Sequence, residues 1–145
     1  MEIAVDGFRV SATDWQRVRN LPKDQLPPLT QEQKAVAAKL RVSEEDYARS
    51  ALAGQETQGN LLAKTERFAR LFERRVKGLD PNATVERVAL LSWEHRFDIV
   101  IRIGRGIVPV RVDEAIVDDL FEGGSSEADQ KLSRIVELAL GQRVA

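Results

Sequence analysis

RFDIVIRIGRGIVPVRV, residues 96–112, reads as a β-hairpin, and it decides the class of the fold. Phe97, Ile99, Ile101 and Ile103 alternate with Asp98, Val100 and Arg102, which is the period of a strand with one buried face. Val108, Val110 and Val112 repeat the pattern on the far side of a glycine-flanked turn. A two-residue Arg105-Gly106 loop would set Ile103 opposite Val108, Ile101 opposite Val110 and Ile99 opposite Val112. A three-residue loop would set isoleucine against proline and arginine, so the shorter turn is the expected register. Pro109 has no N–H for a central ladder, which makes the second strand an edge. The preceding TVERVALLSW, residues 84–93, reads as a third strand turning at Glu94-His95, with its register open.

Working outward, Asp113 opens a helix carrying Ile116, Val117, Leu120 and Phe121, closed by Gly123. Ser126 opens another carrying Leu132, Ile135, Val136 and Ala139, closed by Gly141. Toward the N-terminus, IAV-DG-FRV reads as a small hairpin turning on Asp6-Gly7. Thr13 is placed to cap a short helix bearing Trp15 and Val18. Pro22, Pro27 and Pro28 then stiffen a connector between Leu21 and Leu29. Thr30 with Gln33 spells a capping box, and Ser43 with Asp46 repeats the arrangement for the next helix. The stripe Leu61, Thr65, Phe68, Phe72 and Val76 marks a helix to about Lys77. Gly54 and Gly59 each disfavour a helix interior by about 1 kcal/mol, so a break near Gly59 with Asn60 as cap is expected, a single long helix being the alternative.

The expected architecture is α+β: a helical N-terminal half with a short N-terminal β-hairpin, a three-stranded antiparallel sheet, its extension by that hairpin being the alternative, and two C-terminal helices covering one face. Its parts are residues 1–28 (hairpin, short helix and proline-rich connector), 29–78 (helical region) and 79–145 (β-meander with two helices).

At 145 residues the chain is long enough for one hydrophobic core. No apolar run reaches membrane-spanning length, and MEIAVDGFRV lacks the pattern of a signal peptide, so no leader and no membrane partner are expected. The chain has no cysteine, which fits a cytoplasmic location and removes disulfide and thiolate chemistry. A net charge of −1 gives no global attraction to nucleic acid. No nucleophile elbow, phosphate-binding loop or dinucleotide fingerprint is present, and the single histidine, His95, sits in a turn. The expectation is therefore no enzyme, no catalytic residue, no cofactor and no metal site.

Within LTQEQKAVAAKLRVSEEDYARSALAGQ, residues 29–55, Ala37, Leu40, Val42, Ser43 and Tyr47 fall at the small, core, cap and anchor positions of a helix pair. On these residues the segment resembles the helix-turn-helix of bacterial regulators and sigma-factor-like domains. The resemblance implies a DNA-reading second helix. That helix opens instead with Glu44, Glu45 and Asp46, and Arg41 stands where the turn usually takes glycine.

Three charged surfaces are candidates for contact with a partner. Arg41, Arg49 and the helix face Lys64, Arg67, Arg70, Arg74 and Lys77 form a basic set, with residues 60–78 carrying a net +4. Asp118, Asp119 and Glu122 form an acidic face that suits a basic partner, including the basic helix of a second copy. Arg102 and Arg111 belong to the polar face of the sheet. The expected function is a non-enzymatic adaptor or assembly subunit, binding another protein or a second copy of itself through the helical half or the exposed edge strand. The alternative is a nucleic-acid-binding accessory or regulatory protein using the helix-turn-helix-like segment and the basic helix face.

Overall fold

In a computed structural model, which describes residues 1–141, the chain divides into two compact units. The first comprises residues 1–8 and 61 onward, and the second comprises Arg9–Asn60. The second unit is thus an insertion in the connection between the first strand and the rest of the sheet-bearing unit. The proline segment lies inside it.

The sheet-bearing unit contains β1 (Glu2–Asp6), β2 (Ala83–Leu91), β3 (Arg96–Ile103) and β4 (Gly106–Asp113), in the order β1-β2-β3-β4. β2, β3 and β4 form the antiparallel meander, with a bulge between Val85 and Arg87 that leaves Glu86 unpaired in the ladder. The molecule departs from two expectations. The sheet has four strands, not three, because β1 lies parallel to β2, from Glu2 opposite Arg87 to Asp6 opposite Leu91. The N-terminal hairpin does not form: Gly7 takes a positive φ of 68°, but Phe8–Val10 do not return as a strand. An isolated two-stranded hairpin is marginal in water, whereas pairing with β2 sets Ile3 and Val5 against the core. Trp93 covers Gly7 so closely that a Cβ there would collide with the indole.

The β3–β4 register is also shifted by two residues. Ile103 faces Gly106, Ile101 faces Val108, Ile99 faces Val110 and Phe97 faces Val112. The turn is therefore Gly104-Arg105, with Gly104 at φ 61°, because the first central position of such a turn needs the positive φ that glycine supplies without strain. A shift of two preserves which residues face inward, so the buried set is unchanged. Pro109 lies on β4, an edge strand.

Helices α4 (Glu114–Gly123), α5 (Ser126–Gly141) and the 61–79 part of α3 (Glu44–Leu79) supply the other half of the core. Phe68, Phe72 and Val76 of α3, Val117 of α4, and Leu132 and Val136 of α5 are fully buried with Val88, Leu90, Phe97, Ile99, Ile101 and Val112 of the sheet. The rings of Phe68 and Phe97 stand 4.7 Å apart between centroids in a tilted contact. Ser125, one residue before the expected cap, accepts from the N–H of Ala128 and starts α5.

The helical unit contains α1 (Ala12–Arg19), α2 (Gln31–Leu40) and the first part of α3. Ser11, not Thr13, caps α1 by accepting from the Asp14 N–H. The Thr30–Gln33 capping box closes α2 at its start, and Ser43 accepts from the Asp46 N–H at the start of α3. α3 runs through Gly54 and Gly59 without the expected break at Gly59. A missing Cβ weakens a helix, and neighbouring turns with good helix formers outweigh a loss of this size.

Candidate interaction surfaces

On α3 the apolar stripe turns into the core and leaves the basic residues outside, as the 100° step requires. Thr65 is buried on the inner side, its hydroxyl donating to the Leu61 carbonyl at 2.7 Å. Lys64, the first of the basic row, is ion-paired with Asp118 of α4 and lies 3.5 Å from Glu114. Arg67 holds its guanidinium 4.1 Å from the centre of the Phe121 ring, a cation–π contact of about 1 kcal/mol. Arg75, which faces α5, donates to Asp129 and to the Ser133 hydroxyl. Lys77 reaches the Pro81 carbonyl at 3.5 Å.

These contacts change the meaning of the charged helices. Asp118, expected to face a partner, is held by Lys64 of the same chain. Its neighbours Asp119 and Glu122 remain exposed. Arg70 and Arg74 are also exposed and have no ion pair among the described residues. With Ala63, Glu66 and Arg67 they line a shallow depression of about 310 Å³. A second depression beside it, about 370 Å³, is lined by Ala63, Lys64 and Arg67 on one wall and Asp118, Phe121 and Glu122 on the other.

The helical unit treats its arginines differently. Arg41 adopts φ 57°, in the left-handed region where glycine is the usual residue, and remains exposed. Its N–H donates to the Ala38 carbonyl and that of Val42 to the Ala37 carbonyl, the paired bonds of a Schellman end. Arg49 is turned inward. Its guanidinium donates to the carbonyls of Val18 at 2.8 Å and Leu21 at 2.9 Å, and to Glu45 at 2.9 Å. The Arg49 bond holds the Glu45 carboxyl below its ordinary range. Sequence reading placed Arg49 among the contact residues because a cation on a helix gives no sign of which carbonyls lie near it.

Sequence reading missed Asp14 altogether. Asp14 is buried and accepts from the Thr57 hydroxyl at 2.8 Å, from Asn60 and from Arg17. The Thr57 hydrogen bond, followed by that of Ser11, holds its carboxyl below the usual value. Thr57 also accepts from the Ser11 N–H, so one hydroxyl ties the start of α1 to α3. With Thr13 as the expected cap, Asp14 falls in the first helical turn, where an acidic residue is ordinary dipole compensation and gives no sign of Thr57 or Asn60, more than 40 residues away.

Apolar side chains lie exposed on the same unit. Val36 and Leu40 are 39% and 62% exposed, and Val42, just past the turn, is 42% exposed. On the polar face of the sheet, Arg102 is paired with Glu86, which lowers the Glu86 carboxyl and raises the Arg102 guanidinium. Arg111, whose side chain is 73% exposed, lies 4.0 Å from Asp98, itself bonded to Arg96. Cross-strand pairs of this kind explain a solvated sheet face without a ligand.

Comparison with protein-family models, with characterised proteins and with solved structures returns no match to this chain. No described helix is long and apolar enough to cross a membrane.

Proposed function

We propose that the chain is a non-enzymatic cytoplasmic adaptor or assembly subunit that acts by binding another protein or a second copy of itself. The observation that carries this reading is the apolar row Val36, Leu40 and Val42 on α2 and its turn. Val36 and Leu40 are one helical turn apart and so share a face, and Leu40 keeps more than half of its surface in water. Leaving three branched apolar side chains uncovered together is unfavourable for the free protein. It becomes favourable when a partner's apolar surface replaces the water. The ordered cap and Schellman bonds hold the row in place, which reduces the ordering cost of binding.

The nucleic-acid alternative keeps Arg41, Arg70 and Arg74 as exposed cations. It loses Arg49 to internal carbonyls, and Glu44 and Asp46 remain exposed at the start of the would-be reading helix. A duplex presents one negative charge per roughly 1.7 Å of axis, so these carboxylates oppose its approach.

The test compares the wild type with Val36→Asp/Leu40→Asp by light scattering and by cross-linked affinity capture from the source organism. The wild type should self-associate or capture one reproducible protein cross-linked near residues 36–42, and the variant should lose that complex. A strictly monomeric wild type with no cross-linked partner sinks the reading. Salt-steep duplex binding abolished by Arg67→Glu/Arg74→Glu would move it to nucleic acid.

A further inference from the structure

We propose that the strip Arg67, Arg70 and Arg74 on α3 docks an acidic helical segment of a partner protein, its carboxylates spaced three to four residues apart. The proposal rests on the protein-binding reading but concerns a different surface from the apolar row. The two can therefore fail separately.

The first ground is that the molecule already contains one such contact. The acidic helix α4 lies against the basic face of α3 through the Lys64–Asp118 pair, with Phe121 beneath the Arg67 guanidinium. One flank of the α3 face thus binds an acidic helix with an aromatic side chain. The other flank, from Arg67 to Arg74, carries the same chemistry and has no acidic helix upon it among the described residues.

The second ground is geometric. Arg67, Arg70 and Arg74 are three and then four residues apart, so they form one row about 10 Å long. Ala63, exposed and without a long side chain, keeps the depression of about 310 Å³ open beside them. A partner helix with carboxylates at the same spacing would meet each guanidinium in turn. Guanidinium–carboxylate pairs are the directional, bidentate kind that set register.

The third ground selects a protein over a nucleic acid. Glu66 lines the same depression as the arginines, and Glu122 lines the adjoining one with Arg67. A phosphate backbone has uninterrupted negative charge and would press on both carboxylates. Discrete glutamates on a helix can face the arginines and avoid them.

The test uses fluorescence anisotropy with the full chain and a labelled, capped, alanine-based helical peptide bearing glutamates three and four residues apart. The same peptide with glutamines, and a short DNA duplex, serve as the other probes. The acidic peptide should bind, and binding should weaken with added salt. Arg70→Glu/Arg74→Glu, on exposed positions, should reduce its affinity by more than about tenfold. Arg134→Glu, an exposed residue of α5, should leave it unchanged. Circular dichroism establishes that both variants are folded. The proposal is overturned if the acidic peptide binds no better than the glutamine peptide, or if Arg70→Glu/Arg74→Glu leaves the affinity intact. It is equally overturned if the duplex binds more tightly and is the probe those substitutions release. Self-association abolished by them, with no peptide binding, would assign the strip to a second copy instead.

Discussion

The sheet-bearing unit buries Phe68, Phe72, Phe97 and a layer of isoleucine, leucine and valine, whereas the helical unit buries only Val18 and three alanines among its apolar side chains. What the second unit lacks in apolar volume it replaces with polar bonds: Asp14 to Thr57, Asn60 and Arg17, and Arg49 to the carbonyls of Val18 in the last turn of α1 and Leu21 just past it. The two units should therefore fail in different ways. A region held by burial loses stability in proportion to removed volume. A region held by a few charged hydrogen bonds depends on single groups and on pH.

The largest expected effect lies in the first unit. Phe68→Ala should cost about 3–5 kcal/mol, because it removes the ring that packs on Phe97 and leaves a cavity under the sheet. Urea denaturation followed by Trp93 in a Trp15→Phe background reads it, since the two tryptophans lie one in each unit. A loss below about 1 kcal/mol would mean that this core is not what holds the unit. Arg49→Ala comes next, at about 2–3 kcal/mol, because the carbonyls of Val18 and Leu21 lose a charged donor. It is read through Trp15 in a Trp93→Phe background. A cost no greater than that of an exposed ion pair would remove the contrast between the units.

The smallest effect at neutral pH, and the most diagnostic, concerns Asp14. Its folded carboxyl titrates below the ordinary value, so its contribution is full above the unfolded value of about 4 and is lost as pH falls through the folded one. The Trp15 signal should therefore show a stability that declines as pH falls below about 4. Asp14→Asn should lower stability at neutral pH and flatten that decline. An unchanged acid profile in the variant would show that other carboxylates control it.

Much of the fold was legible in the sequence where the signal is local. The Thr30–Gln33 box, the Ser43 cap, the edge position of Pro109 and the apolar face of 61–76 all follow from neighbours within a few residues. The hairpin register erred by one turn position because the pattern has period two, and only the φ demanded at Gly104 distinguishes the choices. The break at Gly59 failed for a similar reason: propensity is a small term that adjacent helix formers override. Of the candidate contact residues, the basic face of α3 could be drawn from spacing alone. Which of its members already had partners could not.

The α+β class, the caps of α2 and α3, the strand character of β3 and β4 and the segregation of charge onto α3 and α4 are all written in the sequence, because each depends on periodicity and capping chemistry encoded within one segment. Long-range contacts alone establish that β1 joins β2 in parallel, that Asp118 binds Lys64, that Arg49 turns inward and that Arg70 and Arg74 stay free of ion pairs among the described residues. Those pairings join residues from about 30 to 85 positions apart in the chain. Their energies depend on distance and burial, which no local pattern specifies.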